Sequence, residues 1–287
     1  MVRTLGTLCT LVSLLTISTA CQQKPAASVP VSAQHSADYF GRKIVVRAAG
    51  ASTSQQTSLA QKRLWALTEA RKSCITQAAA ALGEIDIEGA TLLEAGRLRG
   101  QNIEISIQNY LRGIKDITEE SNVLHDGSVL ATVTMVIYFD GNDGLNRLLY
   151  NSLFSGEQKS FPEPGTEIIP DHRQQPITGV VIDTRNADKA LLPSLTPHIY
   201  DVTGRLIYGP DHVSRNYAFR IGVAGYTKDL RNVADRIGKN PLRIDIMDVI
   251  DNDRSSVLIS REAADRLLSL EKESRVLSSC SVAFWVR

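Results

Sequence analysis

The chain has 287 residues with 32 basic and 31 acidic side chains, so it lacks the strong positive charge that binding along nucleic acid requires. Hydrophobic residues make up 43% and charged residues 22%, which excludes a disordered polar chain and allows two domains of ordinary size. Aromatic residues make up only 6%, which argues against an aromatic-lined ligand groove.

Residues 1–20 have the features of a secretory signal peptide. Arg3 supplies the positive charge, the apolar run from Leu5 to Ile17 is too short to cross a bilayer, and small residues precede Cys21. This arrangement resembles the lipobox of bacterial lipoproteins, which implies cleavage before Cys21 and acylation of that cysteine. Gln22, where Asp would imply inner-membrane retention, implies the outer membrane, with the protein on its periplasmic face. Plain cleavage and an uncleaved anchor are the alternatives.

The next residues, QKPAASVPVSAQHSA, are small and polar with two prolines and no apolar periodicity. They predict a flexible tether over residues 21–38. A chain of this kind holds the first folded domain a few tens of ångströms from the lipid, at roughly 3.1–3.6 Å per residue.

A first domain is predicted over residues 39–153. Its elements are a strand at Lys43 to Ala51, a helix at Thr57 to Leu82, a helix at Asn102 to Leu111, and a hairpin of strands Ile114 to Leu124 and Ser128 to Phe139. Gly83 ends the long helix as a C-terminal cap. The predicted apolar face of that helix comprises Ala60, Leu64, Leu67, Ala70, Cys74, Ala78 and Leu82.

Several stretches of this domain carry a resemblance: VVRAAGAS, EARKSCITQAAAALG, YLRGIKDITEES, LHDGSV and ATVTMVIYFDGNDGL. From about Tyr39 to Tyr150 the chain resembles a family of bacterial outer-membrane lipoproteins typified by a twenty-kilodalton surface lipoprotein and including the flagellar basal-disk protein FlgP. It also resembles the N-terminal domain of the flagellar assembly protein FlgT. The resemblance implies an envelope scaffold, in several members assembled around flagellar motors, without catalytic residues.

Prolines, glycines and few apolar residues predict a linker over residues 154–175, followed by a second domain over residues 176–287. Its predicted elements are a strand at Ile177 to Arg185, a hairpin turning at Asp201 to Gly204, strands at Leu242 to Ile250 and Ser255 to Ser260, a helix from Ser260 to about Leu270, and a strand at Val276 to Val286. This half resembles the C-terminal module often attached to such lipoproteins. The predicted fold class is α+β, with a small, mostly antiparallel sheet against one or two helices in each domain.

Motifs for metal, phosphate or nucleophilic chemistry are weak. The segment Arg236 to Asn240 lacks the glycine and hydroxyl of a phosphate loop and is interpreted as a solvated turn. Residues from Asp251 to Glu262 have calcium-loop spacing, but Ser256 stands where the turn needs glycine, so a strand-connecting loop is favoured. No metal or cofactor is therefore predicted.

Two histidines, His198 and His212, allow a hydrolytic triad as the competing hypothesis. The residues that would complete it are Ser194, Ser214, Asp201 and Asp211. No strained nucleophile turn is evident in the sequence. Surface polar residues around a hairpin are the favoured interpretation.

Two cysteines remain after the signal peptide and Cys21 are set aside. Cys74 falls on the apolar face of the long helix and Cys280 on one face of the last predicted strand, so both are expected to be buried. Two unreactive core thiols and one disulfide joining Cys74 to Cys280 are the alternatives.

The sequence thus favours a non-enzymatic, lipid-anchored scaffold of the outer membrane, acting in flagellar motor or basal-disk assembly. The expected partners are the membrane, further copies of the chain, and other envelope or flagellar proteins, but not nucleic acid. A general envelope-integrity or secretion-assisting lipoprotein is the first alternative, and a periplasmic hydrolase the second.

Overall fold

The computed structural model describes residues 34–53, 56–87, 90–100, 102–154, 156–166, 175–251 and 254–287. The predicted α+β class is confirmed, since small sheets pack against helices along these ranges. None of the helices found there has the length and apolarity needed to cross a membrane. The predicted signal peptide and Cys21 lie outside the described residues.

The described residues of the first module form ten elements. They are β1 (Gln34–Asp38), β2 (Lys43–Ala51), α1 (Leu59–Gly83), β3 (Asp86–Ile87), β4 (Ala90–Thr91), α2 (Leu92–Leu98), α3 (Ile103–Arg112), β5 (Ile117–Val123), β6 (Val129–Tyr138) and α4 (Leu145–Ser152). One antiparallel sheet has the order β1-β2-β6-β5, and β3 pairs with β4. The predicted strand, two helices and hairpin are confirmed. β1 takes the last five residues of the predicted tether, because main-chain pairing with β2 needs no apolar side chains.

Helix α1 lies on the sheet along a line of small residues. Ala66, Ala70 and Cys74 are fully buried, and a Cβ on Gly50 of β2 would lie 2.5 Å from the backbone nitrogen of Ala70. Leu64, placed on the buried face by the sequence, is instead 66% exposed. That prediction is wrong because the closest helix–sheet approach selects the smallest side chains, whereas the prediction weighted the larger apolar ones.

The second module begins after residue 175. Its elements are β7 (Gly179–Asp183), β8 (Ile199–Asp201), β9 (Leu206–Tyr208), α5 (Arg215–Ile221), β10 (Gly225–Thr227), a 3-10 turn (Leu230–Val233), α6 (Ala234–Ile237), β11 (Pro241–Asp245), β12 (Asp248–Val249), β13 (Val257–Ile259), α7 (Arg261–Ser274) and β14 (Val282–Trp285). The first hairpin and the Ser260-capped helix match the prediction. The elements α5, β10 and α6 were not predicted.

The second module's main sheet corrects the predicted antiparallel arrangement. All three pairings in the order β10-β14-β7-β11 are parallel, and the other sheet, β12-β13-β8-β9, also contains one parallel pair. The sequence pattern of β7 explains this, because Val180, Val181 and Ile182 are all buried and a run of that kind belongs to a strand covered on both faces. Such strands are joined by crossovers, which the hairpin-based prediction did not include.

Part of the predicted linker is attached to the second module. Residues 156–166, called the strap below, run along the surface of that module. The main-chain amide of Lys159 donates to the carbonyl oxygen of Asp211 at 2.8 Å. The amides of Gly165 and Thr166 donate to the Asp265 carboxylate at 2.7 and 3.1 Å. In its described part the segment is therefore a bound strap rather than a free linker.

The two modules meet through a packed contact. The hydroxyl of Tyr150, in α4, donates to the carbonyl oxygen of Pro210 at 3.1 Å, and its ring lies edge-on to Phe219 of α5 at 5.7 Å. The amide of Gly141 donates to the Phe219 carbonyl at 2.9 Å. Buried apolar residues of both modules belong to one continuous cluster. The two modules therefore pack against each other over a shared apolar interior.

Candidate functional site

A cleft of about 920 Å³ lies between the strap, α5, α7 and the turn that follows α7. We call it the strap cleft. Its walls include the rings of Phe161 and Tyr217 and five serines. These are Ser160, Ser214, Ser274, Ser278 and Ser279. A volume at the upper end of the range for small-molecule sites, with many hydroxyl groups, suits an extended polar ligand better than a compact apolar one.

The charged side chains at the border of the strap cleft differ in whether they have an ion-pair partner. Lys272 of α7 forms an ion pair with Glu163 of the strap. Lys159 pairs with Asp211 at 2.5 Å. Arg275, which ends α7 in a left-handed conformation with φ 57°, has an exposed side chain with no ion-pair partner among the described residues. The guanidinium of Arg275 is therefore available to a ligand with a carboxylate or phosphate.

Glu271 shapes the floor of the strap cleft. Its side chain is largely buried, and its carboxylate accepts hydrogen bonds from the amides of Leu277 and Ser278 at 2.7 and 3.1 Å. Charge-assisted bonds of this kind hold the turn that presents Ser278 and Ser279. Glu271 was not among the predicted site residues, since a glutamate near the end of a polar helix has no local signal for burial.

His212 lies beneath the strap rather than on the surface. It is 5% exposed, the Phe161 ring lies 5.2 Å from its own, and the Gln158 side chain donates to its carbonyl oxygen at 2.7 Å. Burial lowers the pKa of His212, with smaller lowering contributions from Lys159 and His198. The prediction of exposed histidines is wrong, because it did not foresee that the strap covers this loop.

The predicted hydrolytic constellation is not assembled around His212. Its Nδ1 atom is buried without a hydrogen-bond partner. Asp201 is committed elsewhere, accepting from the amide and hydroxyl of Thr203 at 2.8 and 2.6 Å and from Arg205 Nε at 3.0 Å. Ser194 Oγ accepts from the Thr196 amide at 3.1 Å. These contacts fix turns.

The remaining predicted triad members also have structural neighbours. His198 is 6% exposed, and its ring stacks on Tyr200 at 5.9 Å. Asp211 forms the ion pair with Lys159 described above. Ser214 precedes α5 without a side-chain capping bond and faces the strap cleft. Of the proposed nucleophiles, Ser214 alone lines that cleft.

Two arginines, one from each module, meet at the end of α5. Arg42 of the first module forms an ion pair with Asp140 and donates to the carbonyl oxygens of Ala224 and Ile221 at 3.0 and 2.8 Å. Arg236 of the second module also donates to Ile221. Burial, followed by the neighbouring Arg42, lowers the pKa of Arg236 to about 10. The predicted solvated turn at Arg236 is therefore wrong, since the carbonyl oxygens of Ile221, at the end of α5, and of Cys280 bind its side chain.

The carboxyl edge of the parallel sheet carries another buried carboxylate. Asp183 has no exposed side-chain surface and pairs with Arg185 at 2.8 Å and Arg243 at 2.6 Å. Burial alone would raise the pKa of Asp183, but hydrogen bonds from Arg185 and the charge of Arg243 hold it below its ordinary value. Both guanidinium groups lie over the Trp285 ring. An aspartate directly ending an apolar strand was the available sequence signal.

Both predicted core cysteines are buried and free. The Cys74 thiol donates to the Val46 carbonyl at 3.7 Å inside the first module. Cys280 lies in the second module, where burial raises the pKa of its thiol to about 12. Of the two alternatives, the structure has separate core thiols, because each cysteine belongs to the interior of a different module.

The described residues of the calcium-like segment do not form a ligand shell. Asp251 pairs with Lys189, while residues 252 and 253 lie outside the described ranges. Glu262 lies in the first turn of α7. Across the described part of the chain, no three His, Cys, Asp or Glu side chains are grouped closely enough to hold a metal ion.

Residues 179–287 match a family model described as Treponema pallidum Tp0624, second domain. The match therefore covers the strands of the second module together with α7 and the turn after it. No curated protein matches the chain. The similarity concerns the second module, and it includes the α7 side of the strap cleft but not the strap.

Proposed function

We propose that this protein is a lipid-anchored scaffold of the bacterial outer membrane, which holds a partner in the strap cleft. The observation that carries the proposal is the cleft itself, a wide, hydroxyl-lined opening with Arg275 unpaired at its border. The carboxylates nearby are engaged in holding turns and the strap, as with Glu271 and Asp265. Such a site binds a partner and holds it in position. The partner that it suits is an extended polar protein segment that carries acidic groups.

Lipid anchoring gives this binding its setting. Cys21 at the lipobox-like junction would keep the protein beside one leaflet, which raises its effective concentration for neighbouring copies and envelope proteins. The resemblance of residues 39–150 to flagellar-disk lipoproteins favours the flagellar motor as the first place to look for partners. A general role in envelope integrity or secretion is the alternative.

A charge reversal tests the binding site. Arg275→Glu should abolish co-purification of envelope partners by placing a carboxylate where the partner's acidic group binds. Arg261→Glu is the matched control, since Arg261 is also an exposed arginine of the α7 region but lies at the opposite end of the helix. Equal partner recovery with both variants would contradict the assignment of the strap cleft.

Three further measurements test the lipid anchor and the flagellar role. Intact mass and membrane fractionation of the native protein should show acyl chains on Cys21, and Cys21→Ser should release the protein from the membrane. Deletion of the gene should alter flagellar motor structure in images of whole envelopes. Unchanged motors with a weakened envelope would favour the general envelope role instead.

A further inference from the structure

One end of the first module exposes apolar side chains. Val123 and Leu124, at the turn between β5 and β6, are 48% and 46% exposed, and Leu59 in the first turn of α1 is 47% exposed. The Lys62 ammonium group donates to the Gly127 carbonyl oxygen at 2.6 Å, so the start of α1 and the β5–β6 turn are adjacent. We call residues 59–63 and 123–127 together the tip.

The charges near the tip favour an anionic partner. Helix α1 carries four basic residues and one acidic residue. Two of the basic residues, Arg71 and Lys72, form ion pairs farther along the helix. The tip itself has two basic side chains, Lys62 and Arg63, and one acidic side chain, Asp126. Arg63 has no ion pair within the described ranges. An exposed tryptophan, Trp65, follows one turn after Lys62 and is 42% exposed.

The chain also enters the fold toward this end. Gln34, the first residue of β1, pairs with Arg47, four residues before the end of β2 at Ala51. Ala51 pairs with Leu130, next to the β5–β6 turn. Gln34 thus lies roughly 13 Å short of that end of the sheet. Cys21 precedes Gln34 by thirteen residues, which span at most about 45 Å.

We propose that the tip docks on the headgroup layer of the leaflet that carries the Cys21 anchor, with anionic phospholipid as its partner. The position of the protein at that leaflet rests on the proposed lipid anchor. Val123, Leu124 and Leu59 insert at the boundary of headgroups and acyl chains, while Lys62 and Arg63 contact lipid phosphates. The orientation that results directs the second module and its strap cleft away from the lipid.

Vesicle binding without the anchor tests this surface separately from lipidation. The chain from residue 22 onward contains every described residue and lacks both signal peptide and lipid. It should co-sediment with vesicles of about three parts phosphatidylethanolamine to one part phosphatidylglycerol, and less with phosphatidylcholine alone. The double variant Val123→Ser, Leu124→Ser should bind these vesicles at least about tenfold more weakly. Arg63→Gln should weaken binding about fivefold.

A matched control is available in the second module. Leu192 and Val202 are each 47% exposed, so the double variant Leu192→Ser, Val202→Ser removes the same kind of surface away from the tip. It should bind vesicles as the unsubstituted chain does. Circular dichroism of all variants checks that they fold alike.

The outcomes separate this inference from the anchor. Equal vesicle binding by the tip variant and its control, or no binding by the unsubstituted chain, would overturn the tip assignment even if the native protein proves to be acylated. A loss of self-association in the tip variant without vesicles, with vesicle binding unchanged, would also overturn it, because the tip would then be an interface between copies. If Cys21 of the native protein carries no acyl chain but vesicle binding depends on the tip, the proposed lipid anchor is wrong and the tip assignment holds.

Discussion

The two modules stabilise their interiors in different ways. In the first, an antiparallel sheet meets one long helix through Gly50, Ala66 and Ala70, and the contact requires that these side chains be small. In the second, parallel strands and short helices leave loops that buried carboxylates tie together, as Asp183 and Asp201 do. The first interior is specified by shape, and the second by hydrogen bonds to charged groups.

This contrast explains where a binding site can form. Close helix–sheet packing leaves little room for a cleft, so the features of the first module that can contact a partner, the tip among them, lie on its outer surface. Loops held by carboxylates enclose space between them, and the strap cleft lies between the Asp265-bound strap and the Glu271-bound turn. The two modules should therefore respond differently to changes in volume, charge and pH.

The largest effect is expected from Asp201→Ala in the second module. The Asp201 side chain is 1% exposed, and its loss leaves the Arg205 guanidinium and the Thr203 amide without their acceptor. We expect the free energy of unfolding to fall by about 3 kcal/mol. Urea unfolding followed by Trp285 fluorescence measures it.

An exposed counterpart of Asp201 provides the control. Asp229 accepts from the amide and guanidinium of Arg231 in a similar turn, but the Arg231 side chain is 90% exposed. Asp229→Ala should leave the urea midpoint nearly unchanged. Equal losses for the two variants would show that burial of the carboxylate is not what stabilises the second module.

The next largest effect is expected from Gly50→Ala in the first module. The added Cβ would lie 2.5 Å from the Ala70 nitrogen, and it would force α1 away from β2. We expect a loss of about 2 kcal/mol, seen by Trp65 fluorescence. Gly156→Ala is the control, because nothing lies within 4 Å of a Cβ at that position. A neutral Gly50→Ala would mean that shape does not specify the first interior.

The same contrast decides what the sequence could predict. The first module follows local rules: alternating strands, an Asp-Gly turn and capped helices were found close to their observed bounds. The position of Leu64 was missed because the helix face depends on the sheet beneath it. In the second module, α5 has seven residues and its one fully buried residue is Ala218. A helix this short has too few buried positions to show a helical period in the sequence.

The candidate site was the least predictable part. The strap has prolines and polar residues like a linker, and it is held by residues distant in sequence, among them Asp265, Lys272 and the loop at Asp211 and His212. His212 is buried, and Arg236 partly buried, by segments distant in sequence. A local reading assigns such residues to the surface, because charge and polarity are properties of the residue whereas burial is a property of its neighbours.

A smaller effect is expected from acidification, and it should appear in the second module first. Burial holds the pKa of His212 below 6.5 in the folded chain, so the unfolded chain binds the proton more readily. Stability present above about pH 6.5 is therefore lost as the pH falls through that value toward the folded pKa. Urea midpoints at about pH 7.5 and pH 5.5 should differ more by Trp285 than by Trp65 fluorescence.

His212→Phe tests the source of that pH dependence, since it keeps a ring against Phe161 and removes the titrating group. In this variant the urea midpoints at the two pH values should differ less than in the unsubstituted chain. The carboxylates with lowered pKa values, Asp183 and Asp201, lose their stabilising contribution only at lower pH, as the pH falls below about 4. If His212→Phe leaves the difference between the two urea midpoints unchanged, the pH response belongs to groups other than this histidine.

The smallest expected change is in mass, and it concerns one thiol in each module. Burial raises the pKa of Cys74 and raises that of Cys280 to about 12, so neither thiol should react with an alkylating reagent in folded protein at about pH 8. Both should react after unfolding, and reduction of the native protein should leave its mass unchanged. A mass gain of two hydrogens on reduction would instead show that the native protein contains a disulfide between Cys74 and Cys280, which would join the two modules covalently. Rapid labelling of Cys280 alone would show that the second interior opens more readily than the first.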